Sequence, residues 1–233
     1  MMLSWGGNPS VSYGQTHAWS KPIPLSPEEP SAWFPDIFVD MTGRIHVVWS
    51  STKKVNKDVF DAVMYTSSQD GQQWDKVIDI VAPELRFGEA TRPTLFIAPL
   101  DRTLHLTYRG TNVYYSQSLI DAASDASSWL APTQINVNQI GYFSRLIADS
   151  QGKLHLIFTE NVSTPECPIC YRVFHRQSNN NGLSWSVVNE ISRLPTGAAK
   201  PQIIVDKQDN LHVVWEAGTG GSYGQLSGPT KVL

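Results

Sequence analysis

Positively charged side chains occur at places where an internal repeat of this sequence is least uniform. At one such place the successive copies carry Phe34, Arg92, Phe143 and Lys200, and two residues later they carry Asp36, Thr94, Arg145 and Gln202. Residues that recur in every copy are expected to be structural, whereas equivalent positions that differ between copies are where chemistry could occur. These positions are therefore candidates for a binding site.

Further charged residues follow the second predicted strand of each copy, in loops that should border the same concavity. We expect the substrate-binding residues to be Arg92, Arg109, Arg145 and Lys200, and the candidate catalytic acids to be Asp36, Glu160 and Glu216. Binding sites commonly form in a concavity to which several elements contribute side chains. The alternative for the arginines is that they end strands in contact with solvent, or form ion pairs between neighbouring units.

Four histidines, by contrast, occupy the same position in every copy. Each lies between apolar residues after a turn, and they are His46, His105, His155 and His212. A catalytic site needs unlike groups that converge, whereas a residue repeated in every copy is distributed around the structure. We therefore predict a structural role for these imidazoles, as hydrogen-bonding groups between strands or between sheets.

The elements that must position these residues are indicated by a tryptophan repeat. Trp19, Trp74, Trp129 and Trp185 are separated by 55, 55 and 56 residues. Within each interval, short runs of apolar and β-branched residues alternate with turns rich in Gly and Asp, and the one candidate for helix is a turn or two within 119–128. Four antiparallel strands in a repeated unit of this size are typical of a β-propeller blade.

The repeat divides the 233 residues into one all-β domain, 1–233, with four complete four-stranded blades and one partial blade. The predicted boundaries place the partial blade at 2–31 and the complete blades at 32–87, 88–140, 141–197 and 198–233. A ring with this inventory would leave strand edges unpaired, which natural proteins avoid. We therefore expect the domain to belong to a ring of six blades, completed by further blades or by another chain.

The turn before the fourth strand of a blade carries a recognisable motif. The segments Ser178-Asn-Asn-Asn-Gly182-Leu-Ser184-Trp185 and Ser67-Ser-Gln-Asp70-Gly71-Gln-Gln-Trp74 resemble the Asp-box, Ser-x-Asp-x-Gly-x-Thr-Trp, and a degenerate third copy ends at Trp129. In such a hairpin, Gly supplies a positive φ and polar side chains hydrogen-bond the turn. By this motif the chain resembles the sialidase superfamily of bacterial-neuraminidase-repeat propellers over nearly its whole length.

The resemblance implies a retaining exo-glycosidase that acts on sialic-acid-type glycosides. Sialidases clamp the substrate carboxylate with three arginines, and they use a Tyr nucleophile paired with Glu and an Asp acid/base. Arg92-Pro93-Thr94 is similar to the Arg-Ile-Pro motif of the family but lacks the Ile, and Arg145 could match a second clamp arginine. The alternative is a non-catalytic propeller that binds glycans or proteins, or a module of a larger surface protein. The resemblance also suggests an extracellular or cell-surface location.

Composition argues against several other functions. The formal net charge is −3, without the basic patch that a nucleic-acid-binding surface needs. No apolar run is long enough for membrane insertion, and the first residues lack the features of a signal peptide. We expect no cofactor and no metal ion, because Cys167 and Cys170 supply at most half of a zinc site. These cysteines are expected to form a local disulfide or to remain free thiols in a loop.

Overall fold

A computed structural model of the protein describes residues 19–29, 31–83, 88–98, 102–137, 140–163, 165, 168, 170–193, 196–219 and 226–233. Its strands are β1 (Ala32–Val39), β2 (Ile45–Val55), β3 (Asp58–Ser68), β4 (Ile78–Val81), β5 (Thr91–Ile97), β6 (Thr103–Arg109), β7 (Val113–Leu119), β8 (Thr133–Gln134), β9 (Gly141–Ala148), β10 (Leu154–Asn161), β11 (Tyr171–Ser178), β12 (Asn189–Glu190), β13 (Gly197–Val205), β14 (Leu211–Thr219) and β15 (Ser227–Val232). Two single turns of 3₁₀ helix lie within 119–128. Most of the partial blade predicted at 2–31 lies outside the described residues.

The described strands form four antiparallel sheets, each built from consecutive strands. Three sheets have four strands, in the orders β1-β2-β3-β4, β5-β6-β7-β8 and β9-β10-β11-β12, and the fourth contains β13, β14 and β15. The all-β class predicted from the sequence is therefore confirmed. Strand β4 begins at Ile78 and does not include Trp74.

Neighbouring sheets pack through their first strands and through one face of each sheet. Strand β1 lies beside β5, β5 beside β9, and β9 beside β13. The core between the first two sheets includes Val48 and Tyr65 from one sheet and Leu95 and Leu106 from the other, and the later sheets repeat this arrangement. The first strands thus follow one another side by side, as the inner strands of propeller blades do.

The hairpin before β12 is held by its own side chains. The hydroxyl of Ser178 accepts a hydrogen bond from the backbone N–H of Gly182 at 2.9 Å. Gly182 has a φ of +80°, a conformation that suits glycine because it has no Cβ. The tryptophan that follows, Trp185, packs edge-on against Tyr115 of the preceding sheet, with ring centroids 5.1 Å apart. The motif therefore shapes the hairpin and also joins two sheets.

Three of the four repeated histidines pair with a side chain of the neighbouring strand, as the sequence predicts. The pairs are His46 Nδ1 with the Tyr65 hydroxyl at 2.8 Å, His105 Nδ1 with the Tyr115 hydroxyl at 2.7 Å, and His155 Nδ1 with His175 Nε2 at 3.2 Å. Each pair joins the second strand of a sheet to the third strand. Buried polar groups are stabilising when they are hydrogen-bonded, so these imidazoles belong to the structural framework.

Aspartates six residues before three of these histidines complete the arrangement, a role that was not predicted from the sequence. Their carboxylates approach the imidazoles at 3.4 Å for Asp40 and His46, 3.4 Å for Asp149 and His155, and 2.9 Å for Asp206 and His212. Asp40 also accepts hydrogen bonds from the N–H groups of Thr42 and Arg44, which closes the turn. The constant spacing of six residues is the signal that could have revealed this role.

Acid should destabilise the third sheet through its histidine pair. Burial, together with the charge of His155, lowers the pKa of His175 to about 4. The unfolded chain takes up this proton near pH 6.5 and the folded chain only near pH 4, so the unfolded state binds more protons between these values and stability falls as the pH falls. We expect the free energy of unfolding to decrease by on the order of 2 kcal/mol across this window, as measured by urea denaturation at several pH values.

The matched variant for this prediction is His175→Gln, which removes the titrating group. Its pH dependence of stability should be shallower than that of the wild type. An equal decrease in the two proteins between pH 6.5 and pH 4 would show that this histidine does not cause the effect.

Candidate anion-binding site

A small pocket opens where the first strands of the first three sheets begin. Its volume is about 150 Å³, and it is lined by Phe34, Pro35, Asp36, Arg92, Pro93, Thr94, Phe143 and Arg145. Three of the predicted site residues are therefore brought together here: Asp36 from β1, Arg92 from β5 and Arg145 from β9. We call this space the mouth pocket.

An irregular backbone conformation shapes the strands around the mouth pocket. The residue before a proline has a positive φ in three of the four first strands: Phe34 at 55°, Arg92 at 53° and Lys200 at 48°. The pairing with the second strand shifts register at each of these places. Such bulges re-aim side chains and are frequent next to functional sites. A bulky residue in this conformation costs on the order of 1–3 kcal/mol, a strain that tends to be retained where function needs it.

The guanidinium of Arg92 lies between aromatic rings. Its central carbon is 4.1 Å from the ring centroid of Phe34 and 4.7 Å from that of Phe143. Cation–π contacts at these distances fix the position of the cation, and a guanidinium carries five N–H donors. Among the described residues, no side chain forms an ion pair or hydrogen bond with this guanidinium. The cation is thus positioned and its donors are available to a ligand.

Electrostatics favour an anion beside Arg92. Burial lowers the pKa of Arg92, and the positive charge of Arg109 lowers it further. A half-buried cation that has another cation nearby is less stable than it would be in water, and a bound anion would relieve this. The lining of the mouth pocket thus carries two cations, Arg92 and Arg145, and one carboxylate, Asp36.

Arg109 does not line the mouth pocket, although the sequence grouped it with the substrate-binding residues. It forms an ion pair with Glu89, and its central carbon lies 4.2 Å from the ring centroid of Tyr142. The same ring lies 5.9 Å from the central carbon of Arg92. Arg109 is thus paired with Glu89, and it approaches the pocket only through Tyr142, whose ring both arginines contact.

Arg145 and Lys200 are placed differently from each other. Arg145 lines the pocket, where its Nε donates to Gln202 Oε1 at 3.2 Å and its Nη1 donates to the carbonyl oxygen of Ser144 at 3.1 Å. These two bonds leave further N–H donors on the guanidinium. Lys200 is not among the lining residues and pairs with Glu216 at 3.2 Å. The predicted cations therefore divide into two that line the pocket and two that are engaged elsewhere.

The three candidate acids do not converge. Asp36 lines the pocket, but its oxygens accept hydrogen bonds from the N–H groups of Leu95 at 2.9 Å and of Ile37 at 3.1 Å. Glu160 is fully buried beneath Asn136, and Glu216 is the partner of Lys200. Glycosidases of the usual kind need two carboxyl groups on either side of the scissile bond. The lining of the mouth pocket supplies one.

The described part of the chain offers few other chemical sites. Within it, no group of three or more His, Cys, Asp or Glu residues is placed to hold a metal ion. No helix there is long and apolar enough to cross a membrane. Cys170 is buried and takes part in a disulfide bond, whereas Cys167 lies outside the described residues.

Comparisons with known proteins reveal relatives by fold and not by sequence. No protein-family model matches the chain, and no curated protein does either. A solved protein of unknown function from Dyadobacter fermentans is 14% identical, with a TM-score of 0.61, over 82% of this chain and 63% of its own.

Two further structures with this fold are carbohydrate-active enzymes. The α-L-arabinofuranosidase Arb93A from Fusarium graminearum, solved with an iminosugar inhibitor, is 13% identical with a TM-score of 0.60, over 87% of this chain and 61% of its own. The α-L-arabinanase from Penicillium chrysogenum, complexed with arabinobiose, is 16% identical with a TM-score of 0.58, over 87% and 62%. This chain thus spans less than two thirds of the length of these proteins. At such identities the likeness shows the fold, and function must be argued from the residues of this chain.

Proposed function

We propose that the protein binds a carboxylate-bearing saccharide in the mouth pocket. The observation that carries the proposal is the Arg92 guanidinium, which lies over the rings of Phe34 and Phe143 and forms no hydrogen bond or ion pair with a described side chain. Arg145 lines the same pocket and would supply a second cation. Two guanidinium groups that line one cavity can donate parallel pairs of hydrogen bonds to the oxygens of a carboxylate.

Two observations, the shared fold and the turn motifs, favour a particular class of sugar. The fold is shared with an arabinofuranosidase and an arabinanase, which favours a saccharide over other acidic ligands. The resemblance of the turn motifs to those of sialidases favours a sialic-acid-type glycoside within that class. Such a ligand also agrees with the extracellular or cell-surface location that the resemblance suggests.

Calorimetric titration tests the proposal with three ligands: a methyl glycoside of N-acetylneuraminic acid, a methyl glucuronide and arabinobiose. We expect the two acidic ligands to bind and the neutral one not to bind. Substitution Arg145→Ala should weaken binding roughly 5- to 30-fold, the effect of one charge-assisted hydrogen bond. Binding of arabinobiose that is unaffected by Arg145→Ala would overturn the proposal.

Hydrolysis of the same class of glycoside is a second candidate function, favoured by the carboxylate of Asp36 in the pocket lining. Against it, the backbone hydrogen bonds of Asp36 restrain this group, and the lining contains no second carboxylate to complete a pair. We therefore expect the chain to bind a fluorogenic sialoside without turning it over. Release of the fluorophore by the wild type, lost in Asp36→Asn, would establish the hydrolase instead.

A further inference from the structure

We infer that Asp36 makes the mouth pocket selective for acids with a single negative charge, so that sugar phosphates, which carry a second one, are rejected. The inference rests on the proposed function, because it concerns the ligand of the same pocket. A site made of arginines alone would favour the more highly charged anion. The lining of the mouth pocket also contains a carboxylate, however, and its position is fixed.

The carboxylate of Asp36 is held between the first two sheets. Its Oδ2 accepts a hydrogen bond from the backbone N–H of Leu95 in β5 at 2.9 Å, and its Oδ1 accepts one from the N–H of Ile37 at 3.1 Å. Hydrogen bonds of this kind, from an N–H to a carboxylate, are charge-assisted and restrain its orientation. Within the described residues, no cation forms an ion pair with Asp36. Its negative charge therefore acts on whatever enters the pocket.

The charged side chains of the lining have a net charge of one positive unit. Arg92 and Arg145 are the two cations, and Asp36 is the one anion. Arg109 does not line the pocket and forms an ion pair with Glu89, so this pair adds no net charge. A ligand with one negative charge therefore balances the lining, whereas a ligand with two leaves an excess negative charge beside Asp36.

The small size of the pocket makes that excess charge unfavourable. In a volume of about 150 Å³, a bound acid group lies close to the Asp36 carboxylate. Attraction to the lining grows in proportion to the charge of the ligand, whereas the cost of removing an ion from water grows with the square of its charge. Both Asp36 and Arg92 are half-buried, so solvent screens these charges less than it would at an open surface. A doubly charged ligand thus loses more in solvation than it gains in attraction.

The same carboxylate can contribute to binding a sugar. The two backbone N–H groups use part of the accepting capacity of Asp36, and its remaining lone pairs can accept hydrogen bonds from hydroxyl groups of a ligand. A saccharide supplies such hydroxyls close to its acid group. A singly charged acidic sugar therefore satisfies the cations and the carboxylate of the pocket together.

Two ligands of the same shape and different charge test the selectivity by calorimetric titration. Methyl glucoside 6-sulfate carries one negative charge, and methyl glucoside 6-phosphate carries about two at pH 8, because the second pKa of a phosphate monoester is about 6. The wild type should bind the sulfate more tightly than the phosphate. In Asp36→Asn, the affinity for the phosphate relative to the sulfate should rise roughly 10- to 100-fold, because the repelling charge is removed. Asp121→Asn, at an exposed acid that pairs with Arg102 outside the pocket, should keep the wild-type ratio.

Titration of the wild type at lower pH is a second test that needs no variant. At about pH 5 the phosphate ester carries one charge, so its affinity should rise toward that of the sulfate, which has one charge at both pH values. The sulfate also reports any change in the protein itself, where the charged groups are Asp36, Arg92 and Arg145 in the lining and the pair of Arg109 and Glu89 beside it. A site made of cations alone would instead lose affinity for the phosphate as the pH falls.

Methyl glucuronide, titrated alongside, separates this inference from the proposed function. If the glucuronide binds but the phosphate binds more tightly than the sulfate at pH 8, or the sulfate does not bind at all, the selectivity is overturned and the proposed function stands. An Asp36→Asn protein that is folded by circular dichroism and keeps the wild-type ratio would overturn the role of Asp36. If the glucuronide does not bind, the inference falls together with the proposed function.

Discussion

Replacing Arg92 with alanine is expected to weaken binding of a carboxylate-bearing saccharide roughly 30- to 150-fold, which corresponds to about 2–3 kcal/mol. The effect is large because Arg92 is the one lining cation whose donors no described residue occupies. Its stacking between Phe34 and Phe143 also means that little rotamer entropy is lost when the ligand binds. Calorimetric titration of wild type and variant measures the change.

Two controls separate the geometry of the guanidinium from its charge. Arg92→Lys keeps the positive charge but cannot form the bidentate contact, so it should recover only part of the affinity. Arg102→Ala removes an exposed arginine that pairs with Asp121 and does not line the pocket, and it should leave affinity unchanged. If Arg92→Lys bound the ligand as tightly as the wild type, recognition would depend on positive charge alone and not on the bidentate contact.

The largest effect on stability is expected at Gly182. A Cβ at this position would overlap the hydroxyl of Tyr115, and the φ of +80° is unfavourable for any residue with a side chain. Tyr115 cannot move away easily, since it is buried and its hydroxyl is hydrogen-bonded to His105 and Gln117. Gly182→Ala should therefore lower the free energy of unfolding by about 2–5 kcal/mol, through left-handed strain and overpacking together. Urea denaturation measures the loss.

Gly43 provides the matched control for this substitution. Its φ is +84°, but a Cβ there would meet no atom within 4 Å. Gly43→Ala should therefore cost only the strain of the left-handed conformation, about 1–2 kcal/mol. Equal losses at the two glycines would contradict a packing role for the contact between the hairpin and Tyr115.

The sheets could be predicted from the sequence because their determinants are local and repeated. Runs such as Leu104–Tyr108 and Leu154–Phe158 are buried strands bounded by turns, as their apolar pattern indicates. The structural role of the histidines was predictable for the same reason, since a residue in every copy has an equivalent environment in each sheet. The aspartates six residues before the histidines form a second repeat, which is weaker because it occurs in only three of the four copies.

The candidate site was predictable only in part, because its geometry depends on contacts between distant segments. Asp36 and Arg145 occupy equivalent positions in their first strands, and Arg92 lies two residues before that position in β5, so the repeat register placed them together. Arg109 forms an ion pair with Glu89, which precedes β5 and does not belong to the repeat pattern. The positive φ of Phe34 and of Arg92 runs against the usual preference of a residue before proline, and no local pattern could indicate it.

Recognition of a carboxylate by the mouth pocket is tested most directly by a matched pair of ligands. The methyl glycoside of N-acetylneuraminic acid and its methyl ester differ at one group, where the ester lacks the negative charge and carries an additional methyl group. Titration of the wild-type protein should show the acid binding at least roughly 30 times more tightly than the ester, with an affinity that falls as salt is added. Equal affinity for the two ligands would contradict the account.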